Sequence, residues 1–288
     1  MNRSVDKIIP PPPHHWVGNG FKVHTFFPTS ALSMQRISPF LMLDYNAKMT
    51  LAPTDTPRGV DVHPHRGFQT VSLVLHGAIA HHDSYGNKGV IHKGDVQWMS
   101  AASGVLHKEY HDVEFSKQGG DYQMVQLWVN LPSAFKMAAP TYQEIQNKNM
   151  PTHTFENGST LKIIAGSYAE LTSETHTYSP IFMYLIDLKP NDPIPLAFNK
   201  DFNTCMLCVS GNFIINDTEI IATDYFALMA NDEEHFLIST PTYASVLVLS
   251  GAPIAEPIAS YGPFVMNTKE EIQQAILDYN EGKFGQLE

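Results

Sequence analysis

Basic residues are scarce in this sequence, and they form no run. Lysine and arginine total 18 against 29 aspartates and glutamates, so the formal net charge is −11 at pH 7. Such a surface repels a phosphate backbone, and direct binding to nucleic acid is not expected. Charged residues make up only 16% of the chain and apolar residues 43%, which favours a folded protein with a buried core.

Long hydrophobic segments are also missing. The most apolar segments, such as IFMYLIDL at 181–188, are far too short to cross a bilayer. The amino-terminal stretch MNRSVDKIIPPPPHHW contains no apolar segment of signal-peptide length. We therefore expect a soluble, cytoplasmic protein that does not associate with membranes.

Cysteine occurs only twice, as Cys205 and Cys208 in TCMLCVSG. A CxxC pair can be a redox centre or half of a zinc site. No second CxxC completes a zinc site, and the apolar flanks indicate a buried strand, in which residues i and i+3 lie on opposite faces. We predict two buried, unreactive thiols.

Short strands fill most of the chain between residues 20 and 265. Segments rich in β-branched and apolar residues, such as VSLVLHG (71–77) and QMVQLWVNL (123–131), are mostly followed by Gly, Pro, Asn or Asp. This pattern is typical of an all-β sandwich or barrel.

One helix is predicted, over about residues 268–281. Thr268 and Glu271 have the spacing of a capping box, and Gly282 would end the helix. Apolar residues recur between them at helical spacing, at Ile272, Ala275, Ile276 and Tyr279. We expect this helix to pack on a sheet and to carry no chemistry.

The sequence contains an internal repeat. LHGAIAHHD (75–83) and VSGNFIIND (209–217) share one arrangement of apolar residues, glycine and aspartate, with their glycines 134 positions apart. Each is followed by a similar second segment, GDVQWM (94–99) and TDYFALM (223–229). We predict two copies of one β unit, in domains 1–135 and 136–288.

Two pairs of polar residues have the spacing of metal ligands. His63 and His65 in DVHPHRGFQT, and His107 and Glu109 in ASGVLHKEYH, are each two residues apart. On a strand such residues share a face, so two neighbouring strands would bring three imidazoles and one carboxylate to one point. The alternative is a polar surface cluster, since one His-x-His pair arises easily by chance among 14 histidines.

The repeat favours the metal. Positions 134 residues after His63 and His65 hold Ala197 and Asn199, so the architecture does not require the histidines. The donor set suits Fe(II), Mn(II), Ni(II) or Zn(II) with positions left open for substrate.

The remaining histidines are given no such role. We expect His14 and His15 to lie in a mobile arm, and most of the histidines near a predicted hairpin to face solvent, namely His76, His81, His82 and His92.

The segment that contains these residues resembles the pirin signature of the cupin superfamily. HPHRGF, the D-S-x-G-N turn at 83–87, GDVQWM and the closing H-x-E carry the resemblance. It implies two cupin β-barrels packed face to face, with one divalent metal, Fe(II) before Ni, Mn or Zn, in the amino-terminal barrel. By motif position the ligands fall on His63, His65, His107 and Glu109.

The sequence departs from the cupin pattern at Gln69, where pirins commonly have glutamate. The residue at this position is therefore not an ionised ligand. We expect a neutral amide to replace a negative charge near the metal.

The resemblance implies two functions of different kinds. The first is a quercetinase, which opens the central ring of a flavonol with dioxygen and releases carbon monoxide, with Glu109 as ligand and base. The second is a non-enzymatic, metal- and redox-dependent regulator that binds a protein partner, a transcription factor or a metabolic enzyme. Another cupin reaction, such as an isomerisation, or a loss of activity are further alternatives.

Overall fold

The computed structural model describes residues 2–190 and 192–287 and consists mainly of strands. The strands of the first half are β1 Val5–Ile9, β2 His15–Val17, β3 Phe21–Phe27, β4 Phe40–Leu51, β5 Gly59–His65, β6 Phe68–His76, β7 Ala78–Asp83, β8 Lys88–His92, β9 Val96–Ser100, β10 Val105–His111, β11 Gly120–Asn130 and β12 Thr141–Ile145. Those of the second half are β13 Thr152–Thr154, β14 Thr160–Ala165, β15 Ser167–Tyr168, β16 Leu171–Thr172, β17 Ile181–Leu188, β18 Ile194–Ala197, β19 Asn203–Gly211, β20 Phe213–Ile215, β21 Glu219–Ile221, β22 Phe226–Met229, β23 His235–Ser239, β24 Ala244–Gly251, β25 Ala259–Tyr261 and β26 Phe264–Met266. The α-helices are α1 Met34–Ile37, α2 Val113–Gln118 and α3 Lys269–Asn280.

The chain forms two compact units. The first unit contains Pro13–Gln35, Phe40–Lys148 and the segment from Ile254 onward. The second unit contains the segment up to Pro12, Arg36–Pro39 and Asn149–Pro253. Each unit therefore combines segments from different parts of the chain. The division into continuous domains 1–135 and 136–288 stays a prediction from the sequence.

The first unit is built from two antiparallel sheets. The larger has the strand order β12-β9-β6-β11-β4-β3-β2, and the smaller β5-β10-β7-β8. Residues from both sheets form its core, which contains Phe21, Val23, Leu51, Val74, Ile79, Ile91, Tyr122 and Met124. Burial of these apolar side chains stabilises the unit.

The second unit repeats this order. Its larger sheet runs β1-β22-β19-β24-β17-β14-β13 and its smaller sheet β18-β23-β20-β21. Position by position, β18 corresponds to β5, β19 to β6 and β23 to β10, which confirms the internal repeat. The edge positions are filled by the non-repeated strands β12 in the first unit and β1 in the second.

The two cysteines lie on β19 and are buried free thiols. Cys208 faces the core of the second unit, and burial raises its pKa to about 12. Cys205, three residues away on the same strand, is also buried, and burial raises its pKa as well. Both thiols are therefore held in the protonated, weakly nucleophilic form.

The carboxy-terminal helix forms where the sequence predicts it. The Thr268–Glu271 capping box is present, and Ile272 and Ala275 pack with the β25–β26 hairpin of the first unit. Asp278, on the same helix, forms a buried ion pair of 2.7 Å with Arg66, the residue after His65. Among the described residues, no helix has both the length and the apolar character needed to cross a membrane.

Candidate metal centre

The strands β5 and β10 lie side by side and place the two ligand pairs next to each other. Their antiparallel register puts His107 opposite His63 and Val105 opposite His65. Burial alternates along β10, so that His107 and Glu109 both point inward. The sequence spacing predicts this shared face, and the adjacency of the strands turns it into a cluster.

The ligand atoms of His63, His65 and His107 lie within 4.8 Å of one another. The Nδ1 atom of His63 donates to the carbonyl oxygen of Asp61 (2.8 Å), and that of His65 to the carbonyl oxygen of Pro263 (3.3 Å). Each ring therefore keeps the lone pair of Nε2 available. Nε2 of His107 is buried and has no hydrogen-bond partner among the described residues. A buried unpartnered nitrogen between two further imidazoles fits a metal ion.

The electrostatics of the cluster favour neutral imidazoles. Burial, together with the nearby His63, holds the pKa of His65 and that of His107 well below the usual range of histidine. A neutral ring has the lone pair that a metal requires, whereas an imidazolium does not.

Glu109 lies beside His107 and is almost fully buried. One carboxylate oxygen accepts hydrogen bonds from Ser72 Oγ (3.0 Å) and Gln97 Nε2 (3.3 Å). The other accepts from Gln126 Nε2 (2.7 Å). These three neutral donors hold the carboxylate in one orientation next to the imidazoles.

His81 was expected to face solvent, and this is wrong. The strand β7 lies between β8 and β10, so His81 and Asp83 point into the unit, and His81 is completely buried. His92 is exposed, whereas His76 and His82 are half-buried. Alternation along AIAHHD (78–83) already puts His81 and Asp83 on one face of the strand. Only the strands that flank β7 show that this face is the interior.

Gln69 does not lie near the ligands, contrary to expectation. On β6 the side chain of Phe68 contacts the ring of His65, and Ser72 reaches Glu109. Since residues alternate along a strand, Phe68, Thr70 and Ser72 share the inner face and Gln69 lies on the opposite one. There its amide is buried without a hydrogen-bond partner among the described residues.

A cavity of about 430 Å³ opens onto the cluster. Its walls are mainly apolar, and it is lined by His15, Val17, Phe21, Val23, Thr25, Met42, Asp44, Val60, His63, His65, Glu109, Met124, Gln126, Trp128 and Pro263. His15 belongs to β2, paired with β3, so it is not part of a mobile arm. Burial raises the pKa of Asp44 despite a hydrogen bond from Thr25. Such a cavity suits a largely apolar ligand with a few polar groups.

Comparisons with known proteins agree with this fold. The family model of Pirin matches residues 20–129, and that of the Pirin C-terminal cupin domain matches residues 183–285. The chain therefore belongs to the pirin family and has the two cupin-type domains of that family. A Pseudomonas aeruginosa protein, provisionally named a quercetin 2,3-dioxygenase, is 43% identical over 271 residues, 94% of each chain. Human pirin is 34% identical over 261 residues, 88% of this chain and 84% of its own.

Solved structures show the same architecture. A quercetin 2,3-dioxygenase from Acinetobacter baumannii is 41% identical, with a TM-score of 0.93 over 100% of both chains. The Escherichia coli pirin YhhW in complex with nickel(II) is 18% identical, with a TM-score of 0.66 over 86% of this chain and 100% of its own. The second likeness concerns the fold alone.

Proposed function

We propose that this protein is a metal-dependent dioxygenase of quercetinase type, which opens the central ring of a flavonol-like substrate with dioxygen. The observation that carries the proposal is the buried, unpartnered Nε2 of His107, clustered with His63 and His65. These two histidines line a mainly apolar cavity together with Glu109. The names of the Pseudomonas and Acinetobacter relatives support the same reaction class.

In this proposal His63, His65, His107 and Glu109 hold one divalent transition metal ion. Imidazole and carboxylate donors suit Fe(II), which we propose as the native ion, and they also accept Ni, Mn or Zn. The bound metal would supply a Lewis acid for the substrate's hydroxyl oxygen and a redox centre for dioxygen.

The residues of the chain orient the substrate and move its proton. Glu109 accepts the proton of the flavonol hydroxyl, because its carboxylate is the acidic group nearest to His107 in the cavity wall. Gln126 and Ser72 keep that carboxylate in place through their hydrogen bonds. Met42, Met124 and Trp128 form apolar walls that contact aromatic rings and exclude water from the cleavage site.

Turnover of a flavonol panel by the iron-loaded protein under air tests this function. We expect one metal per chain, loss of the flavonol absorbance, uptake of dioxygen and release of carbon monoxide. His63→Ala should lose the metal and the turnover and keep the β-rich circular dichroism spectrum. One tightly bound metal without consumption of any flavonol would contradict the dioxygenase and favour the non-enzymatic regulator.

The protein partner of such a regulator and the cytoplasmic location stay predictions from the sequence. Neither is needed for the reaction proposed here, whose components are the metal, the aromatic substrate and dioxygen.

A further inference from the structure

A buried chain of hydrogen-bonding groups begins at the Nδ1 side of His107. Nδ1 of His107 lies 3.5 Å from Nδ1 of His81, and Nε2 of His81 lies 3.3 Å from a carboxylate oxygen of Asp83. His81 is fully buried and Asp83 is 4% exposed. The His81 ring also stacks on Tyr142 at 5.1 Å between centroids, which fixes the plane of the ring. His81, Asp83 and Tyr142 have no role in the proposed reaction.

The proton positions in this series of hydrogen bonds follow from the groups at its two ends, Gln97 and Asp83. At the first end stands the Gln97 side chain, whose amide nitrogen faces the Glu109 carboxylate at 3.3 Å. An ionised carboxylate only accepts, so the group facing it is the donor NH₂, and the Tyr142 hydroxyl accordingly donates to the Gln97 oxygen. The same NH₂ donates to Nδ1 of His81 at 3.1 Å. Nδ1 of His81 therefore carries a lone pair.

At the second end stands Asp83, the first residue of the D-S-x-G-N turn. One of its oxygens accepts from the backbone N–H groups of Tyr85 and Asn87, and the other from the Asn87 side chain and from His81. Burial acts to raise the pKa of Asp83, but the hydrogen bonds from His81 and Asn87 outweigh it and leave the pKa below its usual range. Asp83 is thus an acceptor as well, and the proton of His81 lies on Nε2.

Both ends assign the same tautomer to His81. The single lone pair of His81 Nδ1 is then shared in a three-centre hydrogen bond, which it accepts from the Gln97 amide at 3.1 Å and from the Nδ1 of His107 at 3.5 Å, so that His107 is a donor at Nδ1. We propose that His81 is a positioning residue, which fixes His107 as the Nδ1–H tautomer and directs the lone pair of Nε2 into the cluster with His63 and His65. Its value for metal binding rests on the proposed function, whereas the tautomer itself does not.

His107 differs in this respect from the other two histidines. The Nδ1 protons of His63 and His65 are held by backbone carbonyls, which no substitution of a side chain removes. The Nδ1 proton of His107 is held by a side chain, which is in turn tied to the charge of Asp83. Hydrogen-bond partners of this kind orient metal-bound histidines and raise their basicity.

Nitrogen NMR of the metal-free protein tests the tautomers directly. With ¹⁵N-labelled histidine, long-range proton–nitrogen correlations distinguish Nδ1–H from Nε2–H rings. We expect His107 as Nδ1–H and His81 as Nε2–H in the wild type. A wild-type His107 that carries its proton on Nε2 overturns the proposal, and this measurement needs no variant.

Three substitutions separate positioning from packing. His81→Phe keeps a ring but removes the acceptor, so the nitrogen shifts of His107 should move toward the average of both tautomers. His81→Asn provides an amide oxygen near the former Nδ1 and should restore the Nδ1–H form. His92→Asn, in the exposed part of the same hairpin, is the matched control and should change neither ring. Unchanged His107 shifts in folded His81→Phe would contradict the role of His81.

Metal affinity provides a second readout. Zinc titration of the metal-free proteins should show a weakening by about 10- to 100-fold for His81→Phe, most of it recovered in His81→Asn. Equal affinity of the wild type and His81→Phe would refute the effect on metal binding. If the tautomers and affinities follow expectation but no flavonol is consumed, the dioxygenase alone fails and the positioning role stands.

Discussion

Glu109 is surrounded by donors, and this surrounding determines what a substitution there does. Ser72, Gln97 and Gln126 all direct hydrogen atoms at its two oxygens. A carboxylate satisfies three such donors, whereas an amide places its own NH₂ against at least one of them. The site is therefore built for an anion at position 109.

We expect Glu109→Gln to weaken metal binding and to reduce flavonol turnover by about 100-fold or more, because an amide is a poor donor to the metal and cannot take a proton. Metal content after dialysis and the rate of flavonol loss measure the two effects. Glu114→Gln, at an exposed position of helix α2, is the control with the same chemical change. Full metal content together with full turnover would show that the carboxylate is neither ligand nor base.

Gln69 gives a contrasting prediction, because it lies on the face of β6 that points away from the cluster. Gln69→Glu places a carboxylate where the described residues provide no partner, so we expect a loss of stability of about 2 kcal/mol. Metal stoichiometry and affinity should stay unchanged. Thermal unfolding and metal titration measure these outcomes.

Gln126→Glu is the matched substitution on the inner face. It sets a second carboxylate against Glu109, at the position of the 2.7 Å hydrogen bond, and should alter metal affinity. If Gln69→Glu changed the affinity and Gln126→Glu did not, the faces of β6 and β11 would be assigned wrongly.

At the scale of residues, spacing in the sequence was enough to find the three clustered histidines. It was not enough to find His81 or to place Gln69. Alternation divides the residues of a strand between two faces, but neighbouring strands decide which face is the interior. For β7 and β6 those neighbours are β10 and β11, far along the chain.

At the scale of elements, one buried lysine joins three parts of the first unit. Nζ of Lys136 donates to the carbonyl of Gly67 (2.6 Å), to Asn130 Oδ1 (2.7 Å) and to the carbonyl of Val265 (2.9 Å). These partners belong to the turn after His65, the end of β11 and the strand β26. Lys136 therefore connects the β25–β26 hairpin to the rest of the first unit. The Pro263 carbonyl of this hairpin accepts the hydrogen bond from His65.

We expect Lys136→Met to destabilise the protein by about 2 kcal/mol, because three buried acceptors lose their Nζ donor. Hydrogen exchange in residues 259–266 should become faster than in the wild type. Chemical denaturation and exchange measured by mass spectrometry test this. Lys283→Met, at an exposed lysine that pairs with Asp278 of helix α3, is the control.

The same lysine makes stability depend on pH with a definite sign. Burial lowers the pKa of Lys136 from 10.5 to about 7. Between these values the unfolded chain binds the proton that the folded protein lacks, so the free energy of unfolding contains a term that rises with pH. The difference between wild type and Lys136→Met should grow from pH 7 toward pH 10. A difference that shrinks over this range would contradict the assignment.

At the scale of the whole molecule, the repeat explains why one metal per chain is expected. Among the described residues, the groups of histidine and acidic side chains close enough to share an ion all lie in the first unit. In the second unit the residue of β18 that corresponds to His63 is the buried Leu196 and not Ala197, which the spacing of 134 predicts, because the loop between β18 and β19 is longer than that between β5 and β6. Leu196 lies opposite Phe236 of β23, as His63 lies opposite His107. The fold therefore continues without the ligands.

We expect metal binding to slow hydrogen exchange in β5 and β10 and to leave β18 and β23 unchanged, since a ligand stabilises the parts that bind it. Exchange measured with and without zinc compares the equivalent strands within one chain. Protection of both pairs of strands, or two ions per chain, would contradict a single site.

The repeat itself was readable from the sequence, because each copy preserves its glycines and aspartates. The sequence did not show that β1 joins the larger sheet of the second unit, or that β12 joins that of the first. β1 pairs with β22, which is distant in sequence, and β12 pairs with β9. Neither β1 nor β12 belongs to the repeated pattern. Pairings of long sequence separation leave no local signal.

These edge strands also bear on how the chain can be inherited. If the gene were divided between the two repeats, β1 would be separated from the sheet that it completes, and β22 would become an open edge. If the cut falls before β12, β9 is open as well, and open edges recruit other chains. Neither half is then a self-sufficient module, so shuffling one repeat into another gene would carry along an unfinished sheet. We therefore expect the two copies to be encoded together in one gene.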